Sequence, residues 1–296
     1  MSSELNKILK GRAPYPFETI ATAIAFSPTS EKVLAESVRM AKAFGAKLLV
    51  IHVGKSSDEK SKKMSDLLAK FDLHDVDYKV VWDEGEPVET ILKICKSEVV
   101  DLLVAGALKK EKLFTFYKGS IARKLCRQAK CSLLILTDPK MSGTEFNKVI
   151  VNGVENEKTI HTIKTSLYFA KHLKLKSVEV VEEVDPSKVK TTVEDEETCL
   201  AAQKEKQKII EEEKNKMEEF LKEENVHHIN VGYKCLFGKL GYTIGHYSEM
   251  KGADLLMMNS PAEKLGFLDR VFTHDLEYVL AELPTNLLIV HSRVNN

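Results

Sequence analysis

The chain has 296 residues, 43% of them hydrophobic and 30% charged, and its 44 basic and 44 acidic residues cancel. That length holds one large domain or two of about 150 residues. An ordinary apolar fraction excludes disorder of the whole chain, and a net charge of zero argues against a general polyanion binder.

In chain order, the opening "MSSELNKILKGRAPYPFETI" has no apolar run of signal-peptide length, and no stretch approaches the roughly 18 apolar residues of a membrane span. A cytoplasmic chain with no membrane partner is expected. "TIATAIAF" (19–26) predicts a first strand, and "EKVLAESVRMAKAFG" a helix ended by Gly45. "AKLLVIHV" (46–53) is a continuous apolar run, which suits a strand buried on both faces. A charged segment at 55–70 predicts a helix and "YKVVWDEG" (78–85) a third strand. "PVETILKICKSE" predicts a helix with Pro87 in its first turn, followed by a fourth strand, "DLLVAGA" (101–107). "SIARKLCRQAK" and "CSLLILTD" then give a helix and a fifth strand.

The same order returns. "NKVIVNGV" (147–154), "KTIHTIKTSLYFAKHLKL", "KSVEVVEEV" (176–184), "HINVGYKCLFG" (228–238), "LGYTIGHYSEMKGA", "DLLMMNS" (254–260) and "NLLIVHS" (286–292) repeat the strands and helices of the first half. Two anchors share one offset: Gly85 to Gly238 and Asp101 to Asp254 are both 153 apart. The chain therefore reads as a tandem repeat. Strands alternating with helices imply parallel sheets with helices on both faces, and a ligand beyond the carboxyl ends of the strands where strand order reverses. The linker "DPKMSGTEF" (138–146) puts the boundary near residue 142, giving domains 1–141 and 142–296. One element breaks the symmetry. Residues 194–224 form a long charged helix pattern with 12 acidic and 6 basic residues. It reads as a solvated helix docked on the sheet, or else as a partner-binding helix.

The five cysteines (Cys95, Cys126, Cys131, Cys199, Cys235) include no CxxC pair and are expected as reduced thiols on packed elements. "VHH" at 226–228 lacks the spacing of a helical metal pair and no HExxH occurs, so no metal site is expected.

Together, "ESVRMAKAFGAKLLVIHV", "GEPVETILKICKSEVVDLLVAGA", "KGSIARKLCRQAKCSLLIL", "GADLLMMNS" and "LPTNLLIV" resemble, in order and spacing, tandem universal stress proteins. The resemblance covers nearly the whole chain. It implies an α/β fold of two tandem Rossmann-like domains of the adenine nucleotide alpha hydrolase-like kind, each a mostly five-stranded parallel sheet flanked by helices. ATP-binding members carry a glycine, two residues, a glycine, nine residues, then Gly-Ser or Gly-Thr. In "GALKKEKLFTFYKGS" the spacing runs Gly106, Lys109, Gly119-Ser120, with lysine in the second glycine's place. Such glycines let phosphate oxygens approach backbone N–H groups, and a helix opening at Gly119-Ser120 favours an anion. Lys109 either obstructs the turn with its Cβ or brings an ammonium to a phosphate. ATP-binding relatives also end the first strand in an aspartate that contacts the nucleoside. Phe26 stands in that place here, as a hydrophobic plug or a base-stacking ring. With Val53 at the end of the second strand, the resemblance gives a cofactor set of Gly106, Lys109, Gly119, Ser120, Phe26 and Val53 for ATP or another adenine nucleotide.

The second copy departs further, with Asn259 and Ala262 in the glycine positions, Phe272-Thr273 or Thr273-His274 at Gly-Ser, and about Val154 at the aspartate. No ATP site is expected there. "THD" (273–275) reads as N-capping by Thr273 or Asp275 rather than catalysis, because no nucleophile stands beside it. Residues 105–130 hold eight Lys or Arg and one Glu, read as a solvated face rather than a nucleic-acid patch. No convergent base, nucleophile and metal ligands occur, so no catalytic residues are assigned. The expected function is a non-enzymatic stress-response protein with a partly degenerate nucleotide site in the first copy. The alternatives are an adaptor with both sites degenerate and, behind it, a nucleotide hydrolase. The resemblance also implies pairing of "SLLIL" with "NLLIV" as an intramolecular pseudo-dimer. It leaves open a homo-oligomer and an unknown protein partner.

Overall fold

The computed structural model describes residues 14–107, 120–143, 146–154, 158–223, 229–260 and 274–291. The first half carries β1 (Thr19–Ala23), α1 (Ser30–Phe44), β2 (Lys47–Val53), α2 (Asp58–Leu68), β3 (Tyr78–Asp83), α3 (Pro87–Ser97), β4 (Leu102–Gly106), α4 (Ser120–Gln128) and β5 (Ser132–Leu136). The second carries β6 (Val149–Asn152), α5 (Thr159–Leu173), β7 (Ser177–Val184), a 3-10 turn (Pro186–Lys188), α6 (Glu196–Glu223), β8 (Asn230–Phe237), α7 (Tyr242–Met250), β9 (Leu255–Asn259), α8 (His274–Glu282) and β10 (Asn286–Val290). All ten strands form one sheet in the order β3-β2-β1-β4-β5-β10-β9-β6-β7-β8. Pairing is parallel within each half and antiparallel where β5 meets β10, at Leu287↔Ile135, Leu288↔Leu134 and Ile289↔Leu133. The chain is thus an α/β protein with two five-stranded parallel arrays flanked by helices.

Both faces of the inner strands are buried, which is why β2, β4, β5, β9 and β10 are near-continuous apolar runs, whereas the edge strands β3 and β8 carry exposed polar residues. Strand residues such as Ile20, Leu48, Leu102 and Leu134 face one layer, packed against α1, α2 and α5 and against Met217, Phe220 and Leu221 of α6. Ala21, Leu49, Leu103 and Leu133 face the other, packed against α3, α4, α7 and α8. The long charged helix therefore docks by a narrow apolar stripe, while its Leu200 stays 53% exposed.

The repeated anchors do the same work twice. Asp101, at the start of β4, accepts the backbone N–H groups of Glu18 and Thr19, both at 2.9 Å, and so ties down the start of β1. Asp254 accepts the N–H of Lys148 at 2.9 Å ahead of β6. A Cβ on Gly85 would lie 2.7 Å from the Thr90 hydroxyl, and one on Gly238 would run into Thr243, which stands in the matching place. Glycine is required at both turns because a threonine of the following helix leans over the backbone.

Three further contacts join the halves. Phe17, Phe44, Tyr168 and Phe169 form a cluster with ring centroids 5.2–5.6 Å apart, extended by Tyr15 stacked on Tyr168. Arg127 of α4 pairs with Glu277 of α8 at 2.5 Å, and Arg123 donates to the carbonyl of Leu280. Asn286 accepts the N–H of Thr137 at 2.9 Å, while Ser132 accepts that of His291 at 3.2 Å.

Candidate functional site

Strand order reverses between β1 and β4 in the first half and between β6 and β9 in the second. In sheets of this kind ligands lodge beyond the carboxyl ends of the strands at such a reversal.

In the first half, β1 ends at Ala23 and the chain bends through "IAFSPTS" into α1. Phe26 takes a left-handed backbone (φ 50°), rare for an aromatic residue and a cost that tertiary contacts must offset. Those contacts are His52, with ring centroids 4.7 Å apart, and Trp82 at 6.5 Å; His52 and Trp82 are 4.6 Å apart. The imidazole of His52 is fixed by a 2.8 Å hydrogen bond between Nδ1 and the carbonyl of Ile24. Phe26 is thus turned onto the ends of β2 and β3, and the exposed side chain at the exit of β1 is Ala25. Ser27, Thr29 and Ser30 follow as a cluster of hydroxyls: Ser27 Oγ lies 3.2 Å from Thr29 Oγ1 and 3.1 Å from Ser30 Oγ.

Gly106 closes β4 beside this loop. A Cβ there would sit 2.9 Å from Cγ2 of Val33 in α1. Helix packing alone therefore requires glycine at this position, whatever else approaches its backbone. Val53 ends β2 but packs into the layer opposite to Phe26. Of the six residues read from the sequence, Gly106 and Phe26 stand at the ends of neighbouring strands, Val53 is set apart on the other face, and Ser120 opens α4. Lys109 and Gly119 lie outside the described residues. The first turn of α4 has no acidic residue. Behind it, the buried Arg123 Nε has no hydrogen-bond partner.

The second half fills the matching space with its own side chains. Asn259, in the place of Gly106, donates from Nδ2 to Thr159 Oγ1 at 2.9 Å and accepts on Oδ1 from the Thr162 hydroxyl. Thr159 in turn donates to the carbonyl of Val154, and Asn152 Oδ1 accepts the Val154 N–H at 2.9 Å. Lys158 reaches the carbonyl of Ser260 at 3.4 Å. At the end of β7, in the place of Val53, the buried carboxylate of Glu183 accepts the N–H groups of Gly241 (3.0 Å) and Ile244 (2.8 Å). An internal anion thereby occupies the N-terminus of α7, which would otherwise attract an external one. Neither Glu183 nor the Asn259 network was legible beforehand; an asparagine at the last residue of an apolar strand carries no pattern that names its partners. His274 opens α8 and Asp275 follows it within the helix, whereas Ala262, Phe272 and Thr273 lie outside the described residues, as does the "VHH" segment.

Among the described residues no cluster of three His, Cys, Asp or Glu side chains has the arrangement of a metal site. None of their helices is long and apolar enough to cross a membrane.

The universal stress protein family model matches residues 55–137, which contain β3, β4 and β5 and the whole segment from Gly106 to Ser120. None of the curated proteins compared with the chain matches it. Among solved structures, a functionally unknown protein from Pseudomonas aeruginosa is 14% identical and covers 93% of this chain and 92% of its own, with a TM-score of 0.67. A universal stress protein from Archaeoglobus fulgidus is 16% identical over 93% of this chain and 98% of its own, with a TM-score of 0.66. At these identities the likeness is one of fold, and it extends over both halves.

Proposed function

We propose that the chain is a universal stress protein-like stress-response protein of two tandem domains, residues 1–141 and 142–296, which senses an adenine nucleotide, ATP foremost, in the first domain only. The observation that carries this reading is the asymmetry of the two strand reversals. In the second half Asn259, Thr159 and Thr162 satisfy one another and the carbonyl of Val154. In the first half the position that matches Asn259 is Gly106, which has no side chain to make such bonds. The family match over 55–137 supports placing the ligand along Gly106, Lys109, Gly119 and Ser120. Phosphates would meet backbone N–H groups at the start of α4, with Arg123 as the nearest described cation on that helix. Phe26 acts as a hydrophobic plug rather than a contact to the sugar. The paired β5 and β10 make the two domains an intramolecular pseudo-dimer in the cytoplasm.

Protein purified under native conditions and then denatured should release an adenine nucleotide detectable by mass spectrometry. A Gly119→Val variant, whose Cβ branch blocks backbone approach, should release none. Release of equal nucleotide by that variant would move the site elsewhere. A chain that neither carries nor takes up nucleotide is the adaptor of the second reading, for which the acidic α6 is the distinguishing surface.

A further inference from the structure

Three of the five cysteines, Cys95, Cys126 and Cys131, lie in one core layer of the first half. Cys95 sits in the last turn of α3 and Cys131 immediately before β5; each is 5% exposed, and their thiols are hydrogen-bonded to one another. The second half shows what the fold ordinarily puts there. Ser248 and Thr285 occupy the matching positions, the first set by the 153-residue repeat and the second by preceding Asn286 as Cys131 precedes Ser132. Both are buried, and each spends its hydroxyl on a backbone carbonyl, that of Ile244 at 2.7 Å and that of Ala253 at 2.5 Å. In the first half the two groups are thiols that face one another.

We propose that Cys95 and Cys131 form a dithiol site which hydroperoxides convert to an intramolecular disulfide, tying the end of α3 to the start of β5. One thiol loses its proton to solvent and attacks a peroxide oxygen. An S–O bond forms as the O–O bond breaks, giving a sulfenic acid and water or an alcohol. The second thiolate then attacks that sulfur; the S–S bond forms, the S–O bond breaks, and hydroxide leaves as water with the second thiol's proton. The sulfurs give up two electrons and the peroxide oxygens accept them.

Access comes through the end of α3. Val99 closes that helix in the left-handed region (φ 53°), where glycine is usual and a β-branched residue is strained. The hook it holds is the N–H of Val100 on the carbonyl of Cys95 itself, at 2.9 Å. Opening this last turn both relieves Val99 and uncovers Cys95. In the closed state the hydrogen bond that the Cys95 thiol donates to Cys131, and then burial, hold the Cys95 proton on well above the ordinary thiol range, so oxidation requires this opening and rises with pH as the opened thiol ionises.

The test is peptide mapping of the native full chain after hydrogen peroxide, with free thiols blocked before trypsin. The expected product joins Ile94–Lys96 to Cys131–Lys140 with loss of two hydrogens. It should be absent from Cys95→Ser and Cys131→Ser, which the second half's hydroxyls show the fold accommodates, and should persist in Cys126→Ser. Blocked, unlinked Cys95 and Cys131 in the treated wild type would overturn the proposal. So would linkage of either to Cys126, or linkage that appears only once denaturant is added.

Discussion

Thr22 shows how little slack single residues have in this core. It is fully buried in β1 and its hydroxyl has no hydrogen-bond partner. Stranding a hydroxyl in this way costs about 1–3 kcal/mol, so Thr22→Val should raise stability by about 1 kcal/mol, read as a higher urea midpoint at unchanged slope. Cys126 gives a pH-dependent counterpart. Burial pushes its thiol from an ordinary 9.0 to about 12. Above about pH 9 the unfolded chain loses this proton while the folded chain keeps it. Stability is therefore flat below pH 9 with respect to this group and falls as pH rises towards 12, by up to ~1.4 kcal/mol per unit. Urea unfolding of wild type and Cys126→Ala at pH 8 and 10.5 should show the smaller loss in the variant. Gly106 reads as a phosphate-turn glycine, and the packing of Val33 requires glycine there as well. Phe26 reads in the sequence as a hydrophobic plug or a base-stacking ring, and its positive φ, which no residue pattern announces, lays it on His52 and Trp82.

Elements were more legible than side chains because strand and helix periods survive averaging over many residues. The long helix read as 194–224 runs Glu196–Glu223, and continuous apolar runs such as "KLLVIHV" became strands buried on both faces. The first strand was read through Phe26 and stops at Ala23, because the turn at Phe26 and Pro28 removes the chain from the sheet. Of α8, only the start is marked in the sequence, by the capping residues of "THD". What no periodicity reveals is how a helix end is satisfied. Glu183 does this for α7 from a strand 58 residues away. Glu183→Gln keeps the shape, loses the charge-assisted bonds and forces an amide N–H₂ toward backbone donors; it should lower stability by about 1.5–3 kcal/mol. Chemical denaturation measures this. An unchanged midpoint would mean that the N-terminus of α7 finds water instead.

For the whole molecule, the shared 153-residue spacing carried most of the architecture, since Asp101 and Asp254 fasten the first strand in both halves. The joining of the halves rests on the antiparallel pairing of β5 with β10, the Phe17–Phe44–Tyr168 cluster and the Arg127–Glu277 pair. The cluster depends on residues 15–17 crossing to α5, which a reading of separate repeats does not anticipate. A shared sheet and core should make the halves unfold together. Trp82 is the single tryptophan and reports on the first half alone. Its fluorescence and the far-ultraviolet circular dichroism should trace one coincident urea transition; a dichroism curve with a second step would separate the halves.

The central claim is that one strand reversal is open to a nucleotide and the other is closed by its own side chains. Titration calorimetry of the full chain with ATP tests it most directly. The account predicts binding of about one ATP per chain, lost in Gly119→Val and retained in Asn259→Ala. No heat at millimolar ATP, or two equivalents bound per chain, would contradict it.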